Sequence, residues 1–123
     1  MKTVAVVDDN AANRLLVEAM LEEYYEVVGY ASGRAAIEGF RQRKPDLVIL
    51  DISMAGLGGV QTLKKLRADD QLRGLPVIAL TARFDDEDDA RARYLAAGFD
   101  DYMTKPVNEE LLLGALSRWL ADD

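Results

Sequence analysis

The stretch Leu47-Val48-Ile49-Leu50-Asp51 decides how the rest of the chain is read. Four consecutive apolar residues describe a strand buried on both faces, because a strand open to water alternates apolar with polar side chains. The run ends on a carboxylate, and Ile52-Ser53-Met54-Ala55-Gly56-Leu57-Gly58-Gly59 follows as a loop. A charge at the tip of a buried strand belongs at the rim of a sheet, where water, a metal or a partner reaches it. Asp51 is thereby a candidate nucleophile.

Outward from this strand the chain keeps a regular beat of strands and helices. Upstream, Val4-Ala5-Val6-Val7 is a second buried-type strand that ends at Asp8-Asp9. Asn10 is placed to cap a helix whose apolar face is expected at Leu15, Leu16, Ala19 and Met20. Glu26-Val27-Val28-Gly29-Tyr30 is a weaker strand, and Ser32-Gly33 opens a helix carrying Ala36, Ile37 and Phe40. Downstream of the glycine loop, Val60, Leu63 and Leu66 line a third helix, and Val77-Ile78-Ala79-Leu80 is a strand ended by Thr81. The acidic run from Asp85 to Asp89 starts a fourth helix that Gly98 closes. Asp101-Tyr102-Met103-Thr104 forms a short fifth strand, and Glu110 to Leu120 the last helix, with Leu116, Trp119 and Leu120 turned to the core.

Five strands alternating with five helices through short loops describe an α/β chain with a doubly wound parallel sheet. The first, third and fourth strands are apolar throughout and belong at the centre; the mixed second and fifth belong at the edges. That is the order 2-1-3-4-5 of the flavodoxin-like arrangement. The 123 residues fit one domain spanning 1–123.

Composition excludes several functions. A net charge of −7 disfavours nucleic acid and anionic membranes, which call for a basic face. Without cysteine there is no disulfide, thiol nucleophile or thiolate metal site. No signal peptide and no membrane-crossing apolar stretch is read, so the expected location is cytoplasmic.

In sheets of this kind the site forms outside the carboxyl ends of the strands. Those ends carry Asp8 and Asp9, Asp51, Thr81 and Lys105. Three carboxylates so close repel unless a cation neutralises them or some are protonated, and Mg2+ suits an oxygen-only set that also takes phosphate oxygens. The chemistry that uses all of these groups is phosphoryl transfer. Asp51 attacks phosphorus, Asp8 and Asp9 hold the metal, Lys105 supplies a point charge, and Thr81 donates a hydrogen bond to the attached group. Each residue alone has a plainer reading as a helix cap, a solvated loop acid, a strand-end hydroxyl or a surface charge.

Together these residues resemble the receiver domains of two-component response regulators, over the whole chain. The matching motifs are Asp8-Asp9, Asp51 with Met54 and Gly59 after it, Thr81-Ala82, and Lys105-Pro106. The resemblance implies that Asp51 is the phosphoacceptor and that Asp8, Asp9, Asp51 and the main-chain carbonyl of Ser53 hold Mg2+. It implies Thr81 and Lys105 as the reaction's hydroxyl and lysine, Thr81 and Tyr102 as switch residues, and a cis Lys105-Pro106 bond. The chain departs from the family at Ala55, where proline is usual. Gly56, Gly58 and Gly59 are expected to loosen the loop. Ser53 and Arg83 occupy variable positions flanking the acceptor.

The chain contains no histidine and no Walker-type loop, so its phosphoryl donor is expected to be a separate histidine kinase or histidine phosphotransfer protein. That donor is expected on the first helix, near Ala11, Arg14 and Leu15. An effector protein is expected on the face of the fourth helix, fifth strand and fifth helix. The expected activity is not that of an enzyme: the chain catalyses only its own phosphoryl transfer and autodephosphorylation, as a monomer or weak dimer. The alternative is a phosphorylation-independent pseudo-receiver scaffold that binds partners constitutively.

Overall fold

The structure, a computed structural model, describes residues 1–81 and 87–121. Ala82, Arg83 and the start of the acidic run at Asp85 lie outside them. The elements are β1 (Thr3–Val7), α1 (Ala11–Leu21), β2 (Glu26–Tyr30), α2 (Gly33–Gln42), β3 (Leu47–Asp51), α3 (Gly59–Ala68), β4 (Val77–Thr81), α4 (Glu87–Ala97), β5 (Asp101–Thr104) and α5 (Glu109–Trp119). All strand pairs are parallel, in the order β2-β1-β3-β4-β5 expected from the apolar runs. Every residue of β3 and β4 is buried, whereas the edge strands β2 and β5 are mostly half-buried.

Because side chains alternate across a strand, the sheet divides the core in two. Val4, Val6, Leu47, Ile49, Ile78 and Leu80 face α1 and α5, meeting Val17, Leu21, Leu112 and Leu116. Ala5, Val7, Val48, Leu50, Val77 and Ala79 face the other way, onto Ala36, Phe40, Leu63, Leu66 and Tyr94 of α2, α3 and α4. The caps follow the sequence: Asn10 accepts from the Asn13 amide and Ser32 from the Ala35 amide. Gly98, at φ +111°, ends α4 in the left-handed region. Asn108 caps α5, so that helix begins one residue before the expected Glu110.

Two expectations are corrected. The buried face of α1 is Val17 and Leu21, with Met20 partly covered; Leu15 and Leu16 are 61% and 55% exposed. Apolar residues surround most of this helix, so their spacing does not select the inward face. Trp119 is also outside the core: it is exposed, and its indole N–H donates to Asp101 Oδ2 at 3.4 Å. Leu116 and Leu120 are buried as expected. No helix among the described residues is long and apolar enough to cross a membrane.

Candidate functional site

Parallel register brings the strand ends together. Val7 lies beside Leu50, Asp51 beside Leu80, and Thr81 beside Thr104. The residues that follow β1 and β5, Asp8-Asp9 and Lys105, therefore reach the same rim as the ends of β3 and β4.

One carboxylate oxygen from each of Asp8, Asp9 and Asp51 lies within 4.8 Å of the others. Asp8 and Asp51 are each only 1% exposed, while Asp9 is open to solvent. Asp51 Oδ1 accepts from Lys105 Nζ at 3.0 Å and from the Ser53 amide at 3.3 Å. Asp9 Oδ2 accepts from the Ala55 amide at 2.9 Å, which ties β1's end to the loop after β3. Asp8 Oδ1 accepts from the Asn10 amide at 2.9 Å, but its Oδ2 is buried without a hydrogen-bond partner among the described residues. Lys105 Nζ stands 4.0 Å from that oxygen, too far to satisfy it. Burial pushes the Asp8 carboxyl above the usual carboxylate range. The Asp51 charge adds to this, and the Asn10 N–H and the Lys105 ammonium oppose it.

The loop after β3 is held by close approach. Gly59 opens α3 buried against β3, where a Cβ would lie 2.6 Å from the Asp51 carbonyl oxygen and from Ile52 Cα. Its amide donates to the Ile52 carbonyl at 3.1 Å. Gly59 is thus a packing requirement rather than the source of looseness expected from the glycine count. Only Gly56, at φ +71°, uses positive φ in this loop. The Lys105-Pro106 bond is cis, as expected.

Thr81 is buried, and its Oγ1 lies 3.0 Å from the hydroxyl of Tyr94. Tyr94 escaped the sequence reading. It sits among the apolar and charged residues of α4, and only the fold brings it under the end of β4. Tyr102 is half-buried against the same core, its ring 6.0 Å from that of Tyr94 and inclined by 33°. The Arg91 guanidinium lies 5.9 Å from the Tyr102 ring. Around it, Arg91, Tyr102, Thr104, Pro106, Leu111 and Arg118 line a groove of about 310 Å³ between α4, β5 and α5.

On the other side of the rim, Arg14 donates to the Asp8 carbonyl at 2.8 Å, and Ala11 and Leu15 are exposed beside it. A cavity of about 90 Å³ lined by Leu16, Val17, Leu80 and Val107 runs from there to Asp8 and Lys105.

Comparison with known proteins gives a consistent result. The family model of the response regulator receiver domain matches residues 4–117. The sensor protein GacS of Pseudomonas syringae pv. syringae is 39% identical over 94% of the chain, which spans only 13% of GacS. Protein PilH of Pseudomonas aeruginosa is 35% identical over 98% of the chain and 99% of PilH. Among solved structures, the receiver domain of a Pseudomonas aeruginosa PAO1 sensor histidine kinase superposes with a TM-score of 0.85. It is 31% identical over 98% of both chains, and it holds a magnesium ion in its active-site cleft. The chain belongs to the response regulator receiver domains of two-component signalling.

Proposed function

We propose that the chain is a phosphoacceptor switch that takes a phosphoryl group onto Asp51 from a phosphohistidine of another protein. The observation that carries this reading is the buried Asp8–Asp51–Lys105 cluster, with one acid oxygen left unsatisfied. A buried acid oxygen that accepts no hydrogen bond is costly, so its retention points to a ligand. The oxygen-only donor set fits Mg2+, which Asp8, Asp9, Asp51 and the Ser53 carbonyl would hold. When bound, that ion supplies positive charge for the oxygens of the phosphoryl group.

The chain's own residues supply the rest. A carboxylate oxygen of Asp51 attacks phosphorus in line with the leaving imidazole. The P–O bond forms as the P–N bond breaks, and the imidazole departs with that electron pair. Lys105, already paired with Asp51, adds a fixed charge beside the transferring oxygens. Thr81 then donates a hydrogen bond from its hydroxyl to the attached group, and Tyr102 follows on the α4-β5-α5 face. Water then attacks phosphorus, the P–O bond to Asp51 breaks with its electron pair returning to the carboxylate, and inorganic phosphate leaves, which resets the switch. The donor, a histidine kinase or histidine phosphotransfer protein, docks over α1, where exposed Leu15 and Leu16 flank the rim. An effector uses the groove beside Tyr102.

The test is labelling from a phosphodonor. The parent chain should take up label that base and hydroxylamine release, as they do from an acyl phosphate, and Asp51→Asn should take up none. Equal uptake by the variant contradicts the reading. The scaffold alternative is disfavoured because the acid and lysine set is complete.

A further inference from the structure

We propose that Tyr94 is a positioning residue for the phosphoryl switch: its hydroxyl holds Thr81 in the unphosphorylated arrangement, and Thr81 must leave it to reach the phosphoryl group. This inference rests on the function proposed above and names a control on it. The first observation is the contact itself, Thr81 Oγ1 to Tyr94 Oη at 3.0 Å with both residues buried. A hydrogen bond shielded from water is not exchanged freely for one to solvent.

The second observation is the direction of Thr81. Leu80 faces α1 and α5, so alternation turns Thr81 toward α4, where Tyr94 lies. Leu50 also faces the α2–α4 side, so alternation turns Asp51 the other way. Asp8 and Lys105 indeed line the cavity on the α1 side. The Thr81 hydroxyl therefore starts on the face opposite the acids, and a χ1 rotation is needed to bring it to Asp51. Tyr94 stabilises only the starting rotamer.

The third observation is what Tyr94 is attached to. Its ring packs edge-on against Phe99 at 6.0 Å and beside Tyr102 at 6.0 Å. Release of Thr81 is thus felt directly by α4 and by the aromatic group lining the output face. Interactions made in one state only set the balance between the two states.

The experiment titrates the full chain with beryllofluoride in the presence of Mg2+, following Thr81 and α4 amides by NMR. Tyr94→Phe keeps the ring and removes the hydroxyl. It should lower the beryllofluoride midpoint about two- to tenfold, the range of one net hydrogen bond. The resting Thr81 amide should move toward its beryllofluoride-bound position. In a Thr81→Val background Tyr94→Phe should bring no gain. An unchanged or raised midpoint, or the same gain in both backgrounds, overturns the proposal. A wild-type chain that ignores beryllofluoride overturns it together with the function it rests on. The wild-type protein labelled at the tyrosine ζ-carbon gives a check without mutation: the Tyr94 signal should shift on beryllofluoride addition, and a static signal overturns the proposal.

Discussion

The two ends of the sheet both carry buried or half-buried charge, and they treat it differently. At the amino ends of β4 and β5, Arg67 reaches across from α3. Its guanidinium donates to the carbonyls of Arg73, Leu75 and Gly98 and to Asp100 Oδ2, at 2.6 to 3.3 Å. Asp100 Oδ2 also accepts from the Val77 amide at 2.7 Å. Each charge there is met, and the cluster ties α3 to the start of β4. At the carboxyl ends, Asp8 and Asp51 share one lysine, and Asp8 Oδ2, 4.0 Å from that ammonium, accepts no hydrogen bond among the described residues. Satisfied charge closes a structure, whereas unsatisfied charge at a rim is stability given up for a ligand.

Substitutions at the two ends should have opposite consequences. The largest effect is expected for Asp51→Asn, which should abolish phosphoryl uptake while leaving the strand buried, as measured by label incorporation and circular dichroism. Next, Arg67→Ala should destabilise the fold by about 2–3 kcal/mol in urea melts, because it leaves several acceptors unmet. It should leave Asp51 reactive below the midpoint.

Asp8→Asn should do the reverse of Arg67→Ala: it should weaken Mg2+ binding and make the metal-free fold more stable by about 1 kcal/mol. The sign also appears in the pH dependence. A carboxyl raised above 3.8 in the folded chain binds more protons there than in the unfolded chain. Its contribution to stability therefore falls as pH rises from about that value through its folded pKa. In EDTA, the stability difference between Asp8→Asn and the parent should grow across that interval and level off above it. A difference independent of pH contradicts the unsatisfied-charge account. The smallest effect is expected from Mg2+ itself. At a concentration equal to its Kd the ion should stabilise the parent by about 0.4 kcal/mol, and Arg67→Ala by the same increment.

The sequence makes the strand order and the rim legible because both depend on short-range patterns. Val4 to Val7, Leu47 to Leu50 and Val77 to Leu80 are apolar without alternation, and each leads directly into a polar residue at the rim. Once these strands are parallel neighbours, Asp8, Asp51 and Thr81 end at the same rim. The orientation of α1 is not legible, because Leu15, Leu16, Val17, Met20 and Leu21 offer several apolar faces and the sheet selects Val17 and Leu21. Trp119 reads as core by residue type, yet Asp101 across the groove holds its indole at the surface. Gly59 reads as looseness until its Cβ position is seen to fall on the β3 backbone. Tyr94 is the least legible of all. Its partner Thr81 lies 13 residues earlier, and no spacing rule links a helix tyrosine to a strand-end hydroxyl.

Phosphoryl placement tests the central claim most directly. The chain is incubated with a small-molecule phosphodonor, with and without Mg2+, and the acyl phosphate is located by borohydride reduction and peptide mass spectrometry. The account predicts one phosphoryl group, on Asp51 and dependent on Mg2+. A label on another residue, or equal labelling of Asp51 in EDTA, contradicts it.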